Sequence, residues 1–301
     1  MSIDRYVPAG LARNDLAAVI GLLSDTHMPM RRRTLPENLG DILRGVDFLL
    51  HAGDVGELWV LDQLSTIAPV IAVHGNDDSD DAQRELPFQQ IIGVAGQRIL
   101  LWHSHYADWR EEMASRVHND LRRSLQRSIN QARQVGAKIA VIGHWHIPLT
   151  YRAGDLLLIN PGALASGNEF TRMLINTLAL LFITRTGEAH VVHIDLAAPE
   201  QPYVPEFDWD AGFTNVGNLF ARSILAPELA PAVHFMRTNF SRDEIMAIRP
   251  IIAAKAMPIW ERASGELTLA DVEEAVTNTS ALSPDLHART LAALRMWQNH
   301  K

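Results

Sequence analysis

Five times in the first half of the chain, a short apolar run ends in residues able to hold a metal ion. Residues 19–23 lead into Ser24-Asp25-Thr26-His27, and residues 46–50 into His51-Ala52-Gly53-Asp54. Residues 70–73 lead into His74-Gly75-Asn76-Asp77-Asp78, residues 98–102 into His103-Ser104-His105, and residues 138–142 into Gly143-His144-Trp145-His146. Apolar runs of this length, bounded by turn residues, read as buried strands. Residues 35–43, with Pro36 at the start, 57–67 and the long stretch 107–135, closed by Gly136, read as helices between them. Strand and helix in alternation, with chemistry at the strands' carboxyl ends, is the pattern of an α/β fold, whose ligands bind outside those ends. On a strand, residues two apart share a face. Asp25 and His27, and again His144 and His146, are therefore expected side by side.

Composition narrows the chemistry. With 301 residues, 47% of them hydrophobic, the chain can bury a sizeable core. A formal net charge of −8 argues against general nucleic-acid binding, which rests on phosphate contacts, but leaves room for a small phosphorylated substrate. The sequence has no cysteine, so a metal must be held by His, Asp, Glu or Asn; such ligands suit Mn, Fe, Ni, Co or Zn. Residues 1–15 have no apolar signal core, so no export and a cytoplasmic location are expected. The longest uncharged apolar run, 173–184, is too short for a bilayer and reads as a strand.

A hairpin is expected over 90–94 and 98–102, and another over 173–184 and 189–194 around Thr186-Gly187. Pro199, Pro202 and Pro205 mark a linker. Beyond it, residues 226–238, 241–257, 268–277 and 284–299 read as helices, with a capping box at Ser241 and Glu244 and an N-cap at Ser283. The expected organisation is a catalytic part, 1–198, and a helical part, 205–301. His234, His287 and His300 are too scattered to form a site. Apolar pairs such as Ile251-Ile252 and Ile259-Trp260 suit packing, a lid or a homo-oligomer contact.

The order Asp-x-His, Gly-Asp, Gly-Asn-x-Asp, His-x-His, Gly-His-x-His and Asn-Pro-Gly resembles the calcineurin-like metallophosphoesterase superfamily. Within it, the chain looks most like the small bacterial and archaeal phosphodiesterases, to which the retromer scaffold subunit is related. The resemblance covers residues 17–196. It implies a four-layer α/β/β/α sandwich, here with a C-terminal helical extension, and two divalent metal ions, manganese favoured. Carried over residue by residue, one ion is held by Asp25, His27, Asp54 and His146, and the other by Asp54, Asn76, His103 and His144. Asp54 bridges them, since a carboxylate has two oxygens and an imidazole normally binds one ion. A metal-bridging hydroxide would then attack phosphorus in line. The expected activity is that of a phosphodiesterase. A phosphomonoesterase acting on proteins or nucleotides, and a catalytically weak binding scaffold on the same fold, stay open. Arg31, Arg32 and Arg33, with Trp102, Trp109 and Trp145, hint at a nucleotide-like substrate.

The chain departs from that pattern twice. Many members carry a leaving-group-protonating His after the Asn of the third motif; here Asp77 stands there, a poor proton donor when ionised. His105 and His74 are the substitute acids, and Asp78 is expected to orient a neighbouring His. Asp54, Asn76, His105 and Asp78 thus form the expected catalytic set. Trp145 stands where a small residue is common and reads as part of a wall. Asn160 and Gly162 read as turn-shaping.

Overall fold

The structure is a computed structural model that describes residues 3–262 and 264–296. In chain order its elements are β1 (Leu16–Leu23), α1 (Leu39–Ile42), β2 (Phe48–His51), α2 (Trp59–Ser65), β3 (Val70–Ala72), α3 (Asp80–Glu85), β4 (Gln89–Val94) and β5 (Gln97–Trp102). There follow α4 (Trp109–Arg116), α5 (Leu121–Gln134), β6 (Ile139–Ile142), β7 (Leu149–Ala153), β8 (Leu156–Asn160), β9 (Thr171–Met173), β10 (Thr177–Thr184) and β11 (Ala189–Asp195). The last are α6 (Phe213–Phe220), β12 (Ala221–Ser223), α7 (Ala230–Asn239), α8 (Arg242–Arg262), α9 (Leu269–Thr277) and α10 (Pro284–Arg295).

Two five-stranded sheets, ordered β11-β10-β1-β2-β3 and β4-β5-β6-β8-β7, pack face to face. Strand alternation explains how one apolar run serves two cores. Ile20 and Leu22 of β1 point between the sheets, where they meet Ile99, Leu101, Val141, Ile159 and Leu181. Val19 and Leu23 point the other way, into a second core with Leu39, Ile42, Val60 and Leu64 of α1 and α2. A strand buried on both faces reads as unbroken hydrophobic sequence. α5 buries Leu121, Leu125 and Ile129 and packs on β6 and β8. The expected α/β/β/α sandwich is therefore the observed fold. β1, β2 and β3 run parallel, as do β5, β6 and β8.

The chain forms two compact units: Met1–Ala165 with Ile175–Phe220, and Ser166–Leu174 with Ala221–Lys301. The division falls at 220, not at the prolines, because Phe213 of α6 stacks edge-on against Trp145 and Phe220 against Phe207. The second unit takes in residues 166–174 because β9 pairs antiparallel with β12. Its core joins Leu229, Val233 and Met236 of α7 to Ile248 and Ile252 of α8, Val272 and Val276 of α9 and Leu294 of α10.

Several expected elements differ. The helix expected over 107–135 is two, α4 and α5, broken where Asn119 takes φ +44° and Asp120 caps α5 through its bond from the Arg123 amide. The strand expected over 173–184 splits, since Met173 belongs to β9. The run 35–43 keeps only α1 as α-helix. α3, capped by Ser79, and α6 went unexpected. α8 runs past Pro258 to Arg262, because Ile259 and Trp260 pack on the helical core. The expected helix end at 299 and His300 lie outside the described residues.

Candidate metal centre

The ligand-type residues do not converge by strand alternation. β1 ends at Leu23, and Asp25 and His27 lie in the loop beyond it with φ of +56° and +47°. Asp54, His144 and His146 are also left-handed, at +53°, +73° and +56°. Non-glycine residues rarely adopt this backbone and cluster at functional sites when they do. Here it curls each loop back over its strand end. The loops are then knitted together: the Asp25 amide donates to the Gly53 carbonyl at 3.0 Å, and the His27 amide to the Asp54 carbonyl at 2.9 Å. The Asp77 amide donates to Asp54 Oδ1 at 2.8 Å, and the His144 amide to Asp25 Oδ2 at 3.1 Å.

Glycines make the approach close enough. A Cβ on Gly75 would lie 2.0 Å from Asp54 Oδ1, and one on Gly143 would lie 2.5 Å from the Ala52 carbonyl oxygen and 2.8 Å from His103 Nδ1. Asn160 and Gly162 shape the neighbouring turn: Asn160 Nδ2 donates to the Gly143 carbonyl at 3.0 Å, and the Gly162 amide to Asn160 Oδ1 at 2.9 Å.

The side chains fall into two groups, with a third, His27, Asp54 and Asp77, overlapping both. Asp25, His27 and His146 offer ligand atoms within 4.8 Å of one another, and so do Asp54, His103 and His144. His146 Nε2 is 3.1 Å from Asp25 Oδ1, and His103 Nε2 is 3.1 Å from Asp54 Oδ2. His27 Nε2 links the groups, 3.8 Å from Asp25 Oδ1 and 3.7 Å from Asp54 Oδ2. His103 Nδ1 lies 2.7 Å from the Ala52 carbonyl oxygen and His146 Nδ1 3.1 Å from that of Ala165, so each ring donates there and turns its Nε2 inward. The Asn76 side-chain oxygen is buried without a hydrogen-bond partner. A buried acceptor left bare is costly unless something cationic or protic meets it. Together with two carboxylates and four imidazoles, it makes a donor set that fits divalent metal ions.

The electrostatics call for positive charge beside Asp54. Burial disfavours charge on His103, but Asp54 outweighs it and lifts the imidazole to about 10, so that without a metal its Nε2 carries a proton that an ion would displace. Burial pushes Asp54 up, and His103 and His27 outweigh it, holding the carboxyl well below its usual range. Burial, then the Arg31 guanidinium, drive His27 down to about 3, the neutral form a metal ligand needs.

The remaining site residues sort differently from expectation. Asp78 orients no His. It accepts the amides of Gly56 and Gly75, both at 2.6 Å, and so ties the second loop to the third. Burial and then Asp54 raise its carboxyl to about 7, despite those two bonds. Asp77 pairs with Arg31, which is 3% exposed and places Nη1 3.2 Å from His27 Nε2. Arg32 is half-buried and donates to the Leu164 carbonyl, and only Arg33 is exposed. The triplet is thus no uniformly solvated run. His105 is buried, its ring 5.4 Å from His103 and 6.4 Å from His144, with Nδ1 unpartnered; burial lowers it to about 3. His74 is half-buried, 5.7 Å from the His105 ring. Trp102 is buried beneath the Arg127 guanidinium and Trp145 is in the wall with Phe213, so neither offers a free face. The Trp109 side chain lies outside the described residues.

One side chain escaped the sequence reading. Glu112, buried on α4, places Oε1 3.0 Å from His144 Nε2. Nothing in its local sequence, a helix of mixed charge, distinguishes it from a solvent-facing glutamate.

The profile of the Calcineurin-like phosphoesterase superfamily domain matches residues 19–181, over half of the chain. A probable metallophosphoesterase of Methanothermobacter thermautotrophicus is 33% identical over 145 residues, 48% of this chain and 76% of that protein. Another, of Methanocaldococcus jannaschii, is 31% identical over 146 residues, 48% of this chain and 67% of that protein. Among solved structures, Vps29 from Entamoeba histolytica is similar at 20% identity and a TM-score of 0.47, over 63% of this chain and 99% of that one. An archaeal phosphodiesterase is similar at 23% identity and a TM-score of 0.40, over 58% and 99%.

Proposed function

This chain belongs to the calcineurin-like phosphoesterase superfamily, and from that premise we propose that it is a two-metal phosphodiesterase. The observation that carries the reading is the gathering of Asp25, His27 and His146 beside Asp54, His103 and His144, with the bare Asn76 oxygen. Asp25, His27 and His146 would hold one divalent ion, Asn76, His103 and His144 the other, and Asp54 would serve both. When bound, such ions polarise a phosphoryl group and acidify a water for attack on phosphorus. Manganese is the ion we favour.

The protein's own groups do the rest. The knitted loops fix the carboxylates before substrate arrives, so little reorganisation is needed. Asp77, in its ion pair with Arg31, has no proton to give a leaving group. That favours esters whose leaving group departs without strong protonation, and so diesters or activated esters over alkyl monoesters. His105, kept neutral by burial, is the side chain we assign to the leaving-group side, as a hydrogen-bonding group rather than a strong acid. The substrate is a small phosphorylated molecule, and a cytoplasmic setting suits it.

The test is hydrolysis of bis(p-nitrophenyl) phosphate and p-nitrophenyl phosphate by chelator-stripped protein, with and without Mn2+, beside Asp54→Asn. Manganese-dependent turnover that favours the diester and vanishes in the variant is expected. Preference for the monoester would make the protein a phosphomonoesterase, and metal binding without turnover of either would make it a binding scaffold.

A further inference from the structure

We infer that Glu112 is a positioning residue for the metal centre: its carboxylate holds the Nε2–H of His144, so that the ring presents Nδ1 to the metal. The inference rests on the metal-dependent reading above.

A neutral imidazole has one N–H and one lone pair, and the partner of one nitrogen decides which is which. His103 and His146 each give Nδ1–H to a backbone carbonyl, of Ala52 and Ala165, and keep Nε2 for the ion. His144 is built the other way round. Its Nε2 lies 3.0 Å from Glu112 Oε1, and a carboxylate can only accept, so the proton sits on Nε2 and the lone pair on Nδ1. Glu112 is itself fixed. It is 6% exposed, and its second oxygen accepts the Tyr106 amide at 3.1 Å. Tyr106 follows His105, so this one carboxylate joins the loop carrying His103 to the loop carrying His144. Glu112 stands outside the group of ligand atoms formed by Asp54, His103 and His144, so it acts through His144 and not as a ligand. A carboxylate behind a ligating histidine makes the ring more basic and fixes its orientation, and loss of such a partner typically costs about 10–100-fold in metal affinity. His144 thus depends on a side chain where His103 and His146 depend on backbone carbonyls.

Calorimetric titration of the chelator-stripped 301-residue chain with Mn2+ tests this, with Glu112→Ala and Glu112→Gln beside the wild type. The wild type is expected to bind two ions. Glu112→Ala should weaken one of them roughly 10–100-fold, leaving the other unchanged. Glu112→Gln, whose amide oxygen still accepts the Nε2–H, should recover most of the loss. Wild-type affinity for both ions in Glu112→Ala would overturn the inference. So would equal weakening of both ions in both variants with a matching fall in melting temperature, the mark of a merely structural role. A wild type that binds no Mn2+ would overturn the metal reading itself.

Discussion

At the scale of single residues, the centre is made by backbone conformations that most side chains avoid. Five of the ligand-type residues, Asp25, His27, Asp54, His144 and His146, are left-handed, and each such residue costs on the order of 1–3 kcal/mol. That cost is held by the amide–carbonyl bonds between loops and by glycines that let them close. Gly75 has no left-handed φ; what it supplies is room. Gly75→Ala would press a methyl against the Asp54 carboxylate, 2.0 Å from Oδ1. The variant is expected to keep its fold and lose at least about tenfold in Mn2+ affinity, by analogy with disturbed ligand support. Unchanged titration curves would show that the Asp54 carboxylate has another place to go.

Elements carry a second lesson in the β4–β5 hairpin. Its turn residues Ala95 and Gly96 have φ of +49° and +73°, the signature of a type I′ turn, which favours Asn-Gly. Ala95→Asn is expected to raise unfolding stability by about 0.5–1 kcal/mol, read as a higher urea midpoint; a lower midpoint would mean that packing of Ala95 on the inter-sheet core outweighs the turn. Strands were the legible elements, since burial on both faces writes β1, β2, β6 and β8 as plain apolar runs. Helix limits were not. The break at Asn119 has no glycine or proline to announce it, and α8 passes Pro258 because tertiary packing overrides local propensity. The candidate site residues stood out in the sequence because each closes an apolar run, in the motif order given above. Their geometry did not, since strand alternation put Asp25 and His27 side by side for the wrong reason. Glu112 was invisible because its partner His144 is 32 residues away.

For the molecule as a whole, acid is the expected weakness. His193, on β11, is buried with Nε2 2.9 Å from Thr150 Oγ1, and burial lowers its pKa to about 4 from an ordinary 6.5. The folded state keeps it neutral while the unfolded chain takes up a proton. Its contribution is therefore complete above pH 6.5 and is lost as pH falls toward 4, by on the order of 3 kcal/mol. His51, equally buried, shifts in the same direction. Urea unfolding between pH 7 and 4 should show stability falling, and His193→Gln should flatten that fall; an unchanged slope would exonerate His193. The alternation of the two units' segments along the sequence bears on something else, the order of synthesis. β1 pairs with β10, Leu16 with Thr184, and β9 with β12, Thr171 with Ser223. A ribosome adding roughly 5–20 residues per second leaves β1 waiting many seconds for its antiparallel neighbour. β10 emerges later than every proposed metal ligand, so the nascent chain has all its donors in hand before the sheet that carries Asp25, His27, Asp54 and Asn76 at its strand ends is complete.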